Sequence, residues 1–297
     1  MISFVCPRCK SGLDQIKPDQ LRCSQDGLNF YKTDGIWGFL LPERTEQYTR
    51  FIRDYETVRR FEGRSSQDEL YYQTLPYHSS NDWRIRAISF NALLKQVMIP
   101  IEKNKKPSQT LDLGAGNAWL SNRLASRGHD VTAVDLTIND FDGLGCHRFY
   151  KSTFTPVQAE FDFLPFPDKS VDIVLFNASL HYSVNYEQTL REAQRVLSVD
   201  GKLIVLDSPV YHDAVSGLRM VQEREQQFLK HYGFASDSLQ SENYLTYQRM
   251  DELAEKLGVT WRHIRPFYGI RWVVRPLLAR IRGSREPAEF GLWVGGR

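Results

Sequence analysis

The sequence predicts a doubly wound α/β domain with a mostly parallel sheet, preceded by a small cysteine-bearing unit. Three observations predict it. From Thr110 onward, short apolar strand-like runs alternate with helical runs, as right-handed crossovers between parallel strands require. "TLDLGAGNAW" places Gly114 and Gly116 directly after the first such run, at a turn into a helix. Residues 1–42 instead break into short runs separated by Gly, Pro and Asp, and carry three of the four cysteines.

The bulk properties fit this division. A chain of 297 residues holds one large domain and a small one. The composition, 41% hydrophobic and 25% charged, is that of a soluble globular protein, and a net charge of +2 gives no global reason to expect a polyanionic partner. No apolar run reaches the roughly 18 to 20 residues that span a membrane. The start, "MISFVCPRCK", lacks the apolar region of a signal peptide, so the cytoplasm is the expected location. Four cysteines in such a chain do not indicate a disulfide scaffold.

The elements follow in order. In residues 1–42, Cys6 and Cys9 form a C-x₂-C pair, and thirteen residues separate Cys9 from Cys23. A pair on a tight knuckle suits tetrahedral zinc, and Asp26 stands where a fourth ligand is expected. Carboxylate binds zinc, but structural sites prefer Cys and His, so the alternatives are a zinc site of Cys6, Cys9, Cys23 and Asp26 or a metal-free remnant. Residues 43–106 read as a helical lid or linker of short helices with mixed three- and four-residue apolar steps. Its aromatics Tyr71, Tyr72 and Tyr77 either lie over a bound ligand or pack against the sheet. "DWRIRAISFNALLKQVMIPI" is a stronger amphipathic helix, punctuated by Pro100 and "NKKPS".

From residue 107 the α/β domain begins. "TLDLG" is a buried strand, "AWLSNRLASRG" a helix closed by Gly128, and "DVTAVDL" a second strand. "VQAEFDF" is a short strand, "VDIVLFNASL" a long apolar one, "YEQTLREAQRVLSVDG" a helix ended by Gly201, and "KLIVLDSP" a further strand. Beyond Pro209, "MVQEREQQFLKHYG" forms a helical insertion around 210–243, and "YQRMDELAEKLG" is a second amphipathic helix. Cys146 is assigned no role.

The glycine turn carries the chemistry. Gly114 and Gly116 permit a tight turn and close backbone approach to a ligand. A dinucleotide site asks for a third small residue where Trp119 stands, whereas Asp135, ending the second strand, is placed to accept hydrogen bonds from ribose hydroxyls. A ribose grip without a pyrophosphate grip suits S-adenosylmethionine, whose carboxylate a helix N-terminus favours. The plain alternative is a tight turn with no ligand.

"AEFDFLPFPDKSVDIVLFNASLHY" and "LREAQRVLSVDGKLIVLDSP" then follow in order and at the right spacing. With the glycine turn, they make the stretch from Thr110 to Pro209 resemble the class I S-adenosylmethionine-dependent methyltransferases of the type 11 group. The resemblance implies a Rossmann-like seven-stranded, mostly parallel sheet and S-adenosylmethionine as cofactor. It implies that Asp112, Gly114 and Gly116 surround the methionine end, that Asp135 holds the ribose, and that Leu136 lies against the adenine. It further implies that Asp162 accepts from the adenine amino group, that the backbone at Phe163 pairs with the ring, and that Asn177 offers its carbonyl to the methionine ammonium. Two departures concern loop geometry: Ala118 stands near the usual third glycine, and Asp200 replaces a glycine before the fifth strand. At the other end, "DGIWGFL" over 34–40 is similar to the zinc-ribbon-like (Trm112-like) domains that end in "DGIPxFL", which implies a small N-terminal β domain with structural zinc in some members.

Methyl transfer demands alignment and exclusion of water, and a base only where the acceptor holds its proton firmly. His181, after the fourth strand, is the candidate general base, with packing beneath the cofactor as the alternative. Tyr182, Tyr211 and His212 also follow strand ends and are candidates to line an acceptor pocket. The near-neutral charge and aromatic lid favour a small-molecule acceptor. An RNA acceptor is the alternative, because "WRHIRPFYGIRWVVRPLLARIRGSR" carries seven arginines and no acid from Arg262 to Arg285. A third reading is a partner subunit that holds cofactor without chemistry. Oligomeric state is not legible.

Overall fold

The protein is described from a computed structural model covering residues 3–103, 107–235 and 238–296. Part of the "NKKPS" punctuation, residues 104–106, lies outside the described residues. Among the described residues, eleven strands form one sheet, and a separate pair, β10 (Val210–Tyr211) and β11 (Leu245–Thr246), lies apart. The first four are β1 (Asp14–Lys17), β2 (Gln20–Arg22), β3 (Asn29–Thr33) and β4 (Ile36–Gly38). The α/β domain contributes β5 (Gln109–Leu113), β6 (Asp130–Asp135), β7 (Thr155–Gln158), β8 (Val171–Asn177), β9 (Leu197–Leu206), β12 (Thr260–Ile264) and β13 (Leu292–Gly296). The order is β1-β2-β3-β4-β7-β6-β5-β8-β9-β13-β12. Strands β4 to β9 run parallel, and β13 and β12 close the far edge antiparallel. The seven strands of the α/β domain are thus the doubly wound sheet that the sequence predicts.

The sequence treats residues 1–42 as a unit apart, but its strands continue the main sheet. β4 pairs in parallel with β7, Trp37 opposite Val157 and Gly38 opposite Gln158, and the Phe39 N–H donates to the Gln158 carbonyl at 2.8 Å. The unit therefore covers the edge of β7, whose N–H and C=O groups would otherwise be open to a foreign strand.

Alternation along the central strands builds two apolar layers. On β8, Ile173 and Leu175 face one side, with Trp83, Phe90, Trp119 and Leu120. Val174 and Phe176 face the other, with Leu190, Val205 and Met250. Helices α3 (Asn81–Leu93), running on into α4 (Ile99–Glu102), and α5 (Trp119–Ala125) supply the first layer; α6 (Tyr186–Val196) and α8 (Tyr247–Leu257) supply the second. Between them in the chain, α7 (Ala214–Tyr232) is the inserted helix, ended by Gly233 in the left-handed region.

Two elements differ from expectation. Residues 42–61 form one 20-residue helix, α1 (Pro42–Phe61), with Pro42 in its first turn; the short α2 (Glu69–Thr74) follows. Tyr48, Phe51, Tyr55 and Val58 recur at helical spacing and form one stripe. The helix expected to reach Gly201 stops at Val196, and residues 197–206 extend as β9, with Leu197 opposite Val171 and Lys202 opposite Ile173. Gly201 serves this irregular strand: a Cβ there would meet the Leu197 side chain at 2.6 Å. Among the described residues, no helix is long and apolar enough to cross a membrane.

Candidate functional site

The carboxyl ends of β5, β6 and β8, the β7–β8 connection and helix α1 enclose a cavity of about 230 Å³. Its floor is the glycine turn. Gly114 has φ +74°, and a Cβ there would lie 2.3 Å from Cβ of Ser179, so only glycine fits. The Gly116 N–H donates to Oδ2 of Asp135 at 2.8 Å, and the Thr137 N–H and hydroxyl donate to Oδ1 at 2.8 and 2.7 Å. Asp135 is thereby fixed on the cavity wall, Oδ2 keeping a lone pair for a further donor. Leu136 lines the cavity beside it, and its carbonyl accepts from Nε2 of Gln158 at 2.9 Å.

Asp112 is placed differently from Gly114 and Gly116. It is fully buried under the turn and outside the cavity lining; Oδ2 accepts from the Ser121 hydroxyl at 2.7 Å and Oδ1 has no partner among the described residues. Burial pushes its carboxyl up to about 7. It ties β5 to α5, and Trp119 opens that helix where the sequence left a puzzle. The indole packs edge-on against Trp83 and Phe90, with centroids 5.8 and 5.6 Å apart, and closes one side of the cavity. A large residue here replaces the close helix–strand contact that a dinucleotide site needs.

Beyond β7, Glu160, Phe161 and Asp162 line the cavity. Asp162 accepts from the Thr189 hydroxyl, and burial pushes its carboxyl up. Phe163 is not on the cavity wall: its ring lies under the Arg44 guanidinium at 5.4 Å. β7 ends at Gln158, so Phe161 is the aromatic residue that reaches the cavity. Asn177, at the end of β8, lines the cavity, and its buried side-chain Oδ1 has no hydrogen-bond partner among the described residues. A buried acceptor left open toward a cavity fits an ammonium ligand.

The roof is α1, not the aromatic stretch around Tyr71. Tyr48, Phe51, Tyr55 and Arg59 line the cavity. Tyr72 instead donates to the Phe141 carbonyl at 2.6 Å and stacks on Phe149, the Tyr71 hydroxyl accepts from the Trp83 indole at 2.8 Å, and Tyr77 donates to Asn91 at 3.0 Å. They brace α3 and the loop after β6. Glu160 holds the roof: it accepts from Nε and Nη2 of Arg44 and from the Tyr48 hydroxyl at 2.6 Å, with its side chain only 2% exposed.

The sequence reading missed a group of three cations. Arg59, Arg64 and Arg86 all line the cavity. Arg59 lies 3.0 Å and Arg64 3.7 Å from Asp142, and both also pair with Glu62. Arg86 lies over the Trp83 ring at 4.7 Å and makes no hydrogen bond or ion pair among the described residues. Burial, then the neighbouring Arg64 and Arg59, lower its pKa. A half-buried guanidinium without an anionic partner among the described residues, on a cavity wall, is a site for an anionic group.

His181 and Tyr182 line the cavity with their rings 4.3 Å apart. Burial, with nearby Arg224, brings the His181 imidazole down to about 3, so it is neutral near pH 7. Its Nδ1 lies 3.4 Å from the Ser208 hydroxyl. Tyr211 and His212 do not reach the cavity. Tyr211 packs edge-on against Tyr244, and His212 stacks on Tyr247 at the surface.

Far along the sheet, Cys6, Cys9, Cys23 and Asp26 converge, their ligand atoms all within 4.8 Å of one another. The Lys10 N–H closes on the Cys6 carbonyl and the Gly27 N–H on the Cys23 carbonyl, both at 2.9 Å, which makes two tight knuckles. The Asp26 N–H points to Sγ of Cys23 at 3.3 Å. Three thiols and a carboxylate at these separations fit a tetrahedral thiophilic cation. Cys146 is buried and stands apart from the cluster.

Residues 111–205 match the methyltransferase domain family. Demethylmenaquinone methyltransferase of Tropheryma whipplei (strain Twist) is 33% identical over 101 residues, which are 33% of this chain and 41% of that protein. The ubiquinone/menaquinone biosynthesis C-methyltransferase UbiE of Azotobacter vinelandii is 27% identical over 59% of this chain and 71% of its own length. The chain thus spans less than half the length of the first of these relatives. Among solved structures, the fold is similar to a Pyrococcus horikoshii protein (TM-score 0.51, 21% identity, 77% of this chain and 99% of that one). It is also similar to a chain of the Haloferax volcanii complex between the Trm112 methyltransferase activator and a methyltransferase (TM-score 0.52, 17% identity, 70% of this chain and 88% of that one).

Proposed function

We propose that the protein is an S-adenosylmethionine-dependent methyltransferase acting on a small-molecule acceptor. The observation that carries this reading is Asp135: a carboxylate on the wall of the cavity, fixed by three internal hydrogen bonds and still able to accept from a ligand hydroxyl on Oδ2. Asp135 would hold the ribose, Leu136 and Phe161 would flank the adenine, and Asp162 would accept from its amino group. The orphaned Oδ1 of Asn177 would take a hydrogen bond from the methionine ammonium, and Arg86 the carboxylate. When bound, S-adenosylmethionine supplies an electrophilic methyl group for in-line displacement.

The residues of this chain then orient the acceptor and exclude water. Helix α1 roofs the cavity with Tyr48, Phe51 and Tyr55, aromatic faces that attract a sulfonium and pack on a flat acceptor. His181, held neutral, accepts a hydrogen bond from an acceptor hydroxyl; at about 3 its basicity is too low to pull a firmly held proton. The acceptor would therefore bring an acidic proton, as a phenol-like or enol-like group does. The relatives named for quinone methylation support that chemistry at low identity.

The cysteine cluster would hold structural zinc through Cys6, Cys9, Cys23 and Asp26. The cavity reading is tested by incubating the protein with methyl-labelled S-adenosylmethionine and a cell extract split into RNA, protein and organic-soluble pools. Label in the organic-soluble pool is expected. Label confined to RNA would replace the small-molecule reading, and binding without transfer to any pool would leave a cofactor-holding subunit.

A further inference from the structure

The arginine-rich tail is not used by the cavity, and its structure differs from a simple charged face. It folds into two short helices, α9 (Ile270–Val273) and α10 (Arg275–Ile281). One stripe of this segment packs inward. Tyr268 is buried and contacts Trp272; Trp272 packs on Phe290; Arg275 lies 3.6 Å over the Trp272 ring and donates to the Ala288 carbonyl. That stripe anchors the segment. The opposite stripe is also apolar and faces solvent: Ile270 is 76% exposed, Val273 64%, Leu277 60% and Ile281 72%, with Phe267 at 69% just before them. An ordinary surface helix is polar on the side away from the core. Five large apolar side chains in one continuous stretch exceed scattered surface exposure.

The charge around this stripe identifies its partner. Arg271, Arg280 and Arg282 are exposed and form no ion pair among the described residues, and no acid occurs between Arg262 and Arg285. Apolar side chains flanked by unpaired guanidiniums match the boundary of an anionic bilayer, where the side chains enter the acyl region and the cations meet headgroup phosphates. An RNA surface would use the arginines but gain nothing from Ile270, Leu277 and Ile281, so the apolar stripe decides between them. We infer that residues 267–282 are an interfacial segment that docks the protein on an anionic membrane surface. The segment starts at the cavity end of the sheet: the Tyr268 hydroxyl lies 2.8 Å from the Ser89 hydroxyl, which donates to Asp207, the residue following β9. Docking therefore sets the cavity end of the sheet toward the bilayer, independently of whether the methyl-transfer reading holds.

Vesicle sedimentation tests it, with vesicles of phosphatidylcholine alone and of phosphatidylcholine mixed with phosphatidylglycerol. The full chain should bind the anionic vesicles about tenfold or more tightly than the neutral ones. A triple variant, Ile270→Ser with Leu277→Ser and Ile281→Ser, should lose about tenfold or more of that binding with its thermal midpoint unchanged. A second variant, Arg271→Gln with Arg280→Gln and Arg282→Gln, should lose the anionic preference and its salt sensitivity. Absence of vesicle binding by the wild type overturns the inference. So does RNA binding that the arginine variant abolishes and the apolar variant keeps, where vesicles are not bound. A dimer in sedimentation velocity that the apolar variant turns into a monomer, again without vesicle binding, assigns the stripe to self-association and overturns it as well.

Discussion

Replacing Asp135 by alanine tests the cavity most directly. The carboxylate accepts from Gly116 on Oδ2 and twice from Thr137 on Oδ1, which leaves one lone pair, on Oδ2, for a ribose hydroxyl. A hydrogen bond to a charged group contributes about 1.5 to 3 kcal/mol net, so losing it costs about that much. That is about tenfold to a hundredfold in the dissociation constant of S-adenosylmethionine. The variant also frees the Gly116 N–H and loosens the turn, which pushes toward the upper end. Thr137→Val is the control. It removes one bond to Asp135 that no ligand shares, and should weaken binding about tenfold at most. Isothermal titration calorimetry with S-adenosylmethionine and with its demethylated product measures both variants, and circular dichroism confirms that both fold. An Asp135→Ala protein binding within about threefold of wild type would refute the ribose assignment and the placement of the ligand with it.

Other consequences are open to measurement. Because the folded His181 sits near 3 and its unfolded counterpart near 6.5, the unfolded chain takes up the proton first as pH falls. The stability this group contributes is complete above pH 6.5 and declines toward pH 3, by roughly 4 to 5 kcal/mol. His181→Asn should flatten the midpoint-against-pH curve there and leave cofactor affinity within about threefold, and an unaltered curve would count against the burial argument. Glu160→Gln leaves Arg44 and Tyr48 without their anion. With Arg44 about a quarter exposed, the cost falls below that of a fully buried pair, to about 2 to 3 kcal/mol, or about 4 to 10 °C in the thermal midpoint by calorimetry. Purified protein should contain about one equivalent of zinc by elemental analysis, and Cys9→Ser should lose it, whereas less than about 0.2 equivalents in the wild type would mark a metal-free remnant.

The parts of the site that were legible in the sequence are those fixed by local constraint. Gly114 must be glycine because of its φ and the Ser179 contact, and Asp135 ends a strand and so reaches the cavity. The arginines were not legible, because their roles arise only when α1 and α3 fold over the strand ends; Arg59 and Arg86 are 27 residues apart and meet through the loop after β6. A signal was present in Tyr48, Phe51, Tyr55 and Val58, whose helical period points one face of residues 42–61 inward. The aromatics around Tyr71 are denser in the sequence, yet they pack on α3 and not over the cavity. The strand expected to run to Phe163 ends five residues earlier, at Gln158, and the chain beyond it turns Phe161 rather than Phe163 into the cavity. Strand partners across the sheet were beyond reach as well, since β4 is three residues long and nothing in it names β7.

That last pairing changes how the small N-terminal unit is understood. From the Cys23–Asp26 knuckle the chain runs through β3 to β4, pairs with β7, and at Leu41 turns directly into α1. The first turns of α1 put Arg44 and Tyr48 on Glu160, which stands in the cavity wall beside Phe161 and Asp162. Lys10, in the first knuckle, reaches the same region from the other side, pairing with Glu192 at 2.6 Å and donating to the Leu164 carbonyl. The unit therefore contributes an edge strand, the start of the roof and a brace for the β7–β8 connection. It is built into the support of the cavity, not appended to the sheet. A change confined to the cysteine cluster should accordingly register in ligand affinity as well as in stability, while a unit that merely decorated the sheet edge would alter stability alone.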